Sequence, residues 1–170
     1  MNSGKLSGCS LVFDAIEQDW NYRQGGYIKV SGNVGFLRSG DSIGANVKVA
    51  VLEIDPNDPT LGLKPSPPTR AYLIDENLQT NLSTLRRVVS SDTPGAIFSI
   101  FDLSPTLDMV LSGIQANELT IAFNSKGGET DIQLKLQLDV QEVTQTGERV
   151  RSEKMKSDFT KCLTILGKSL

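Results

Sequence analysis

Two cysteines, Cys9 and Cys162, stand near opposite ends of a 170-residue chain that contains no histidine. An even pair flanking one domain is typical of exported proteins, because the cytosol keeps thiols reduced. The pair therefore predicts a Cys9–Cys162 disulfide joining the two termini. The alternative is two unrelated thiols, with Cys162 a small core hydrophobe and Cys9 on a loose terminus. The missing histidine removes the commonest general base and the commonest metal ligand. It excludes Ser-His-Asp and Cys-His nucleophiles outright, and two cysteines alone do not complete a zinc site.

Other catalytic patterns are equally scarce. The chain has no G-x-S-x-G, S-x-x-K, Walker A or G-x-G-x-x-G segment. Asp92 with Asp102 is one carboxylate pair that acid–base chemistry could use, but among twenty acidic residues a solvated surface role is the plainer one. Asp55-Pro56-Asn57-Asp58 gathers three oxygen-bearing side chains, as hard cations prefer. It lacks the following Gly and the twelfth-position Glu of an EF-hand loop, and an Asp/Asn-Pro turn is favoured over calcium binding. No cofactor and no metal are expected, and the chain reads as a non-enzyme.

Binding residues are easier to nominate. Trp20, Tyr22 and Tyr27 surround Gly25-Gly26, and aromatics crowded on a turn can form a carbohydrate or protein contact. The plainer expectation is that Trp20 caps the end of the core. Residues 55–68 hold five of the seven prolines, with Leu61 and Leu63 in their midst. A loop that long without regular structure suggests a working surface, so these leucines are candidates for a partner contact. The favoured alternative is that they tuck onto a sheet edge and cover it. Asn81-Leu82-Ser83 matches a glycan acceptor pattern, which implies a surface loop.

The elements that would carry these residues are mostly strands. Segments 10–15, 27–36, 43–54, 69–74, 85–90, 95–101 and 118–124 are rich in Val, Ile, Tyr and Phe and are punctuated by turn residues. In 131–143, Ile132, Leu134, Leu136, Leu138 and Val140 alternate with polar residues, as in a strand with one buried face. The Gly127-Gly128 pair predicts that this strand returns antiparallel to 118–124. Ser104-Pro105 reads as a helix start, Leu107, Val110, Leu111 and Ile114 follow at helical spacing, and Asn117 closes the end. Met155, Phe159, Cys162, Leu163 and Leu166 form the apolar stripe of a second helix that Gly167 ends.

The expected fold is therefore mainly β. It is a two-sheet antiparallel β-sandwich of seven to nine strands in one domain over 1–170, with a crossover helix at about 104–116 and a C-terminal helix at about 152–166. Its expected core includes Val12, Val49, Val51, Phe98, Ile100, Ile121, Phe123, Leu134, Leu136 and Phe159. The layout is similar to small exported bacterial β-sandwich proteins in general, a likeness of architecture that carries no function.

A net charge of −3 and a pI near 5.0 give no global positive field for nucleic acid or anionic lipid. No apolar run reaches membrane-spanning length. The first ten residues lack a secretory apolar region, which fits either a cytosolic protein or one whose signal segment is missing from this sequence, and the cysteine pair favours the second. Gly8-Cys9-Ser10 resembles the surroundings of an acylated lipoprotein cysteine but lacks the apolar stretch before it. The leading expectation is a periplasmic or secreted binding or structural module of the bacterial envelope that engages another protein. A carbohydrate-binding sandwich and a carboxylate-based hydrolase are the alternatives.

Overall fold

The computed structural model describes residues 6–55, 57, 62–125 and 128–168. In chain order the elements are β1 (Gly8–Asp19), β2 (Gly26–Ser39), β3 (Ser42–Ile54), β4 (Leu63–Pro65), β5 (Ala71–Ile74), β6 (Leu85–Ser90) and β7 (Ala96–Phe101). Then come α1 (Leu103–Ala116), β8 (Glu118–Asn124), β9 (Asp131–Gln137), β10 (Val140–Val143), β11 (Arg149–Ser152) and α2 (Lys154–Lys168). The protein is a mainly-β two-sheet sandwich, as the composition and periodicity predict.

The larger sheet runs β1-β2-β3-β7-β6 and the smaller one β5-β8-β9, every pairing antiparallel. β4 adds to the far end of β3, on the edge that β7 occupies further along. Val30, Val34, Val47, Val49 and Val51 from the larger sheet meet Leu73, Ile121 and Phe123 from the smaller in one apolar cluster. Burial of those side chains is the main stabilising term.

Helix α2 packs against β1, with Phe159 meeting Phe36 of β2 at a centroid distance of 6.3 Å. The Cys9–Cys162 disulfide forms as the spacing predicts, with Cα atoms 5.9 Å apart. Lys156 of α2 is also buried, its ammonium donating to Asn117 Oδ1 and at 2.8 Å to Glu153 Oε1. Its charge is thereby paired, as a buried cation requires.

Several expectations are corrected. Among the described residues there are eleven strands, because β4, β10 and β11 were not anticipated. The 131–143 strand is two strands. Leu138 turns out of β9, its N–H donating to Asn117 O at 2.9 Å, and Asp139 binds Arg151 at 2.9 Å. The chain then forms the separate β10–β11 ribbon. Helix α1 starts at Leu103, with Asp102 rather than Ser104 as its N-cap, and Asn117 ends it in a left-handed conformation as expected. Helix α2 continues through Gly167 to Lys168.

Three expected core residues lie elsewhere. Val12 is 77% exposed, Ile100 is 36% exposed and Phe98 is half-buried. In β7 the inward positions are Ile97, Ser99 and Phe101. Buried Ser99 is accommodated because its Oγ accepts the Ala71 N–H at 3.3 Å, a bond between the two sheets. Leu136 is half-buried, while Val49, Val51, Ile121, Phe123, Leu134 and Phe159 are in the core.

Candidate functional site

The turn between β1 and β2 is built around Asp19. This buried carboxylate accepts the N–H groups of Asn21 and Tyr22, both at 2.9 Å, and its carbonyl accepts Gly25 N–H at 2.8 Å. Gly25, with φ +88°, lies directly against the Trp20 ring, where a Cβ would meet the indole at 2.8 Å. Trp20 does not cap the core, since 69% of it remains exposed. Tyr22 is half-buried and packed on the core, with its hydroxyl donating to Thr130 O and its ring against Gly128. Arg23 binds Glu53 at 2.5 Å, and Asn21 Nδ2 donates to Asp131 O at 3.2 Å. The turn thus fastens one end of the larger sheet to the smaller one and leaves Trp20 in solvent.

Behind it lies a polar cluster that the sequence did not single out. Asp131 accepts Arg70 Nε at 2.9 Å and the Tyr72 hydroxyl at 2.6 Å. Burial pushes the Tyr72 phenol up to about 12, and its hydrogen bond to Asp131 adds to the shift. The same carboxylate, through its hydrogen bond, raises Arg70 above its ordinary value. The three side chains tie the chain entering β5 to β9 across the intervening β8. Because the folded-state pKa exceeds the unfolded one, this contribution is complete below pH 10 and lost as pH rises to about 12. Denaturant melts between those pH values should show stability falling in wild type and falling less in Tyr72→Phe. Equal slopes would show that Tyr72 does not titrate this way.

The nominated carboxylate pair is not brought together. Asp92 precedes β7 and Asp102 follows it, where Arg86 grips Asp102 through Nε at 2.5 Å and Nη2 at 2.8 Å. Asp58 and Leu61 lie outside the described residues. Asp55 accepts Asn57 N–H at 3.0 Å and pairs with Lys64 at 3.4 Å. Asn81 is overturned as a glycan acceptor. It is 1% exposed, its Nδ2 donates to Thr106 Oγ1 at 3.1 Å and its Oδ1 accepts Leu73 N–H at 2.9 Å. A cavity of about 260 Å³ beside α1 holds Glu118 and Lys135, which pair with each other at 3.7 Å.

The larger sheet's outer face offers more for binding. Since Val47, Val49 and Val51 point inward, Lys48, Ala50, Leu52 and Ile54 point outward. Register then sets Ile16, Lys29, Leu52 and Pro65 in one outward row, and Ile54 opposite Leu63 beside them. Gln18 pairs with Tyr27 at the same end, one residue from Asp19 and the Trp20 turn. Val12, Asn33, Lys48 and Phe98 form another row, in which Lys48 Nζ lies 5.1 Å above the Phe98 ring and donates to Thr93 at 2.9 Å.

Val12, Ile16, Tyr27, Leu37, Leu63 and Ile100 on this face are all exposed. Outward positions of an antiparallel sheet facing water are normally polar. Leu63 therefore does two things: its backbone covers the β3 edge while its side chain, 46% exposed, joins the patch. Comparisons with protein-family models, curated proteins and solved structures find no match to this chain, so surface chemistry alone carries the functional argument.

Proposed function

We propose that this protein is a non-enzymatic binding module of the periplasm or the secreted space. In this reading it engages another protein through the end of the outer sheet face that holds Trp20, Tyr27 and Leu63. The observation that carries it is the outward apolar register, because exposed aromatic and aliphatic groups gathered on one face are what protein interfaces bury. The disulfide supports an oxidising compartment, and no helix among the described residues is long and apolar enough to cross a membrane. A carbohydrate-binding reading draws on the exposed indole beside Gly25, a surface on which a sugar ring stacks.

The test uses affinity capture from extracts of the source cells, comparing wild type with the double variant Tyr27→Ser/Leu63→Ser. Both side chains are about half exposed, so an unchanged melting temperature is expected. Loss of a captured protein at that unchanged temperature is the expected result. Capture that survives the double variant would overturn the reading, and glycan binding lost in Trp20→Ala would replace it with the carbohydrate one.

A further inference from the structure

The edge strand β1 changes character halfway along. Cys9 and Leu11 are buried where α2 is bonded to the strand. From there the strand opens. Phe13, Ala15 and Glu17 on its inner face are only half-buried, although Val30 and Val34 on the adjacent strand are fully buried. Val12 and Ile16 on the outer face are 77% and 66% exposed. Among the described residues β1 pairs with β2 alone, in a register unbroken from Gly8 to Asp19. Natural edge strands are guarded by proline, charged side chains (lysine above all, or a charge pointing inward), bulges or a covering segment. The 12–18 stretch has no proline, lysine or bulge; its charges are Asp14, paired with Lys29, and Glu17 on the half-buried inner face, and among the described residues its alternate backbone N–H and C=O groups have no ladder.

We propose that this edge is a self-pairing site, at which β1 of a second copy of the chain adds antiparallel and joins two larger sheets into one. An antiparallel edge pair is two-fold symmetric, so one strand supplies both halves of the contact. Keeping both outer faces on the same side requires outward residues to pair with outward residues. The register centred on Asp14 sets Val12 against Ile16 and Phe13 against Ala15 from each copy. Its neighbours set Val12 against Asp14 or Gln18 and Ile16 against Ser10 or Asp14, which leaves the apolar side chains unmatched.

Two like charges meet at the centre, but each Asp14 is already 3.2 Å from its own Lys29. Glu17 falls beside Leu11 of the second copy, two residues from Cys9 and so towards the helix carrying Lys161. Seven paired residues span roughly 24 Å. The buried area falls below about 1,200 Å² in total, the range of weak and reversible pairs, so a micromolar dimer is expected. The proposal goes beyond the partner-binding reading and stands without it: Val12 and Ile16 also belong to the outer face, but the pairing uses the strand edge rather than Tyr27 and Leu63 and needs no other protein.

Sedimentation velocity of the purified, disulfide-intact chain across micromolar concentrations tests it. A concentration-dependent dimer is expected, reduced at least tenfold in affinity by Ile16→Lys, whose exposed site leaves the fold intact. The variant Asp14→Cys fixes the register. At the two-fold centre the paired Cα atoms lie ~5 Å apart, within disulfide reach. It should oxidise to a covalent dimer, and Gln18→Cys should not. A monomer at every concentration would overturn the proposal. So would a dimer that tolerates Ile16→Lys and fails to cross-link through position 14. Neither outcome bears on Tyr27 and Leu63, so the two ideas fail separately.

Discussion

Replacing Cys9 and Cys162 together with serine should lower the unfolding free energy by up to about 5 kcal/mol, the largest effect expected of any change in this chain. The bond joins residues 153 apart in sequence, and in the chain-entropy account a longer closed loop removes more freedom from the unfolded state. Small proteins are stable by only about 5–15 kcal/mol in all, so the variant should be marginal. Urea melts of wild type, of the double-serine variant and of wild type with reductant would measure this. The midpoint should fall and the slope rise, since an unfolded chain without its cross-link exposes more surface. A loss below about 1 kcal/mol would show that helix packing, not the bond, holds the termini together.

Phe36→Ala should cost about 3–5 kcal/mol, the usual range for removing a buried aromatic side chain. Phe36 is 1% exposed, pairs with Cys9 across the β1–β2 ladder and packs on Phe159 of α2. Its removal leaves a void where sheet, helix and disulfide meet. The effect should couple to the cross-link, because both hold α2 against the same strands. A double-mutant cycle between Phe36→Ala and the double-serine variant should therefore be non-additive by ~0.5 kcal/mol or more. Additive losses would show that α2 docking and the terminal tie are energetically separate.

The sequence by itself determined which kind of fold this is. Alternation in 131–137 and Val-rich runs in 43–54 have no comfortable home except strands with one covered face. The stripe from Met155 to Leu166 has a period only a helix satisfies. It also limited any intramolecular cross-link to a single pairing, while the packing of α2 on β1 decided that the bond forms rather than leaving two separate thiols. Where one segment is apolar on both faces, periodicity loses its power. Residues 95–101 are apolar at nearly every position, and Phe98 and Ile100 were expected inside where Ile97, Ser99 and Phe101 lie. Only the opposite sheet, by donating Ala71 N–H to Ser99, made this phase the lower in energy.

β1 posed the same problem, since Leu11, Phe13 and Ala15 compete with Val12 and Ile16 for the inner face. Asp14, Ser10 and Gln18 share a face with Val12, and that was the signal available to place Val12 outside.

Tertiary structure alone decided the rest. Asn81 reads as a surface acceptor locally, yet its amide is consumed by a strand backbone and a helix threonine that come from elsewhere in the chain. Asp131, Arg70 and Tyr72 converge only because β5 and β9 flank β8, and this turns ordinary polar residues into one tie. The exposed apolar register of the outer face is likewise a product of strand order, because Ile16, Leu52 and Leu63 come from three separate strands. Local sequence sets a residue's period and propensity, but which side meets water depends on what the rest of the chain lays against it.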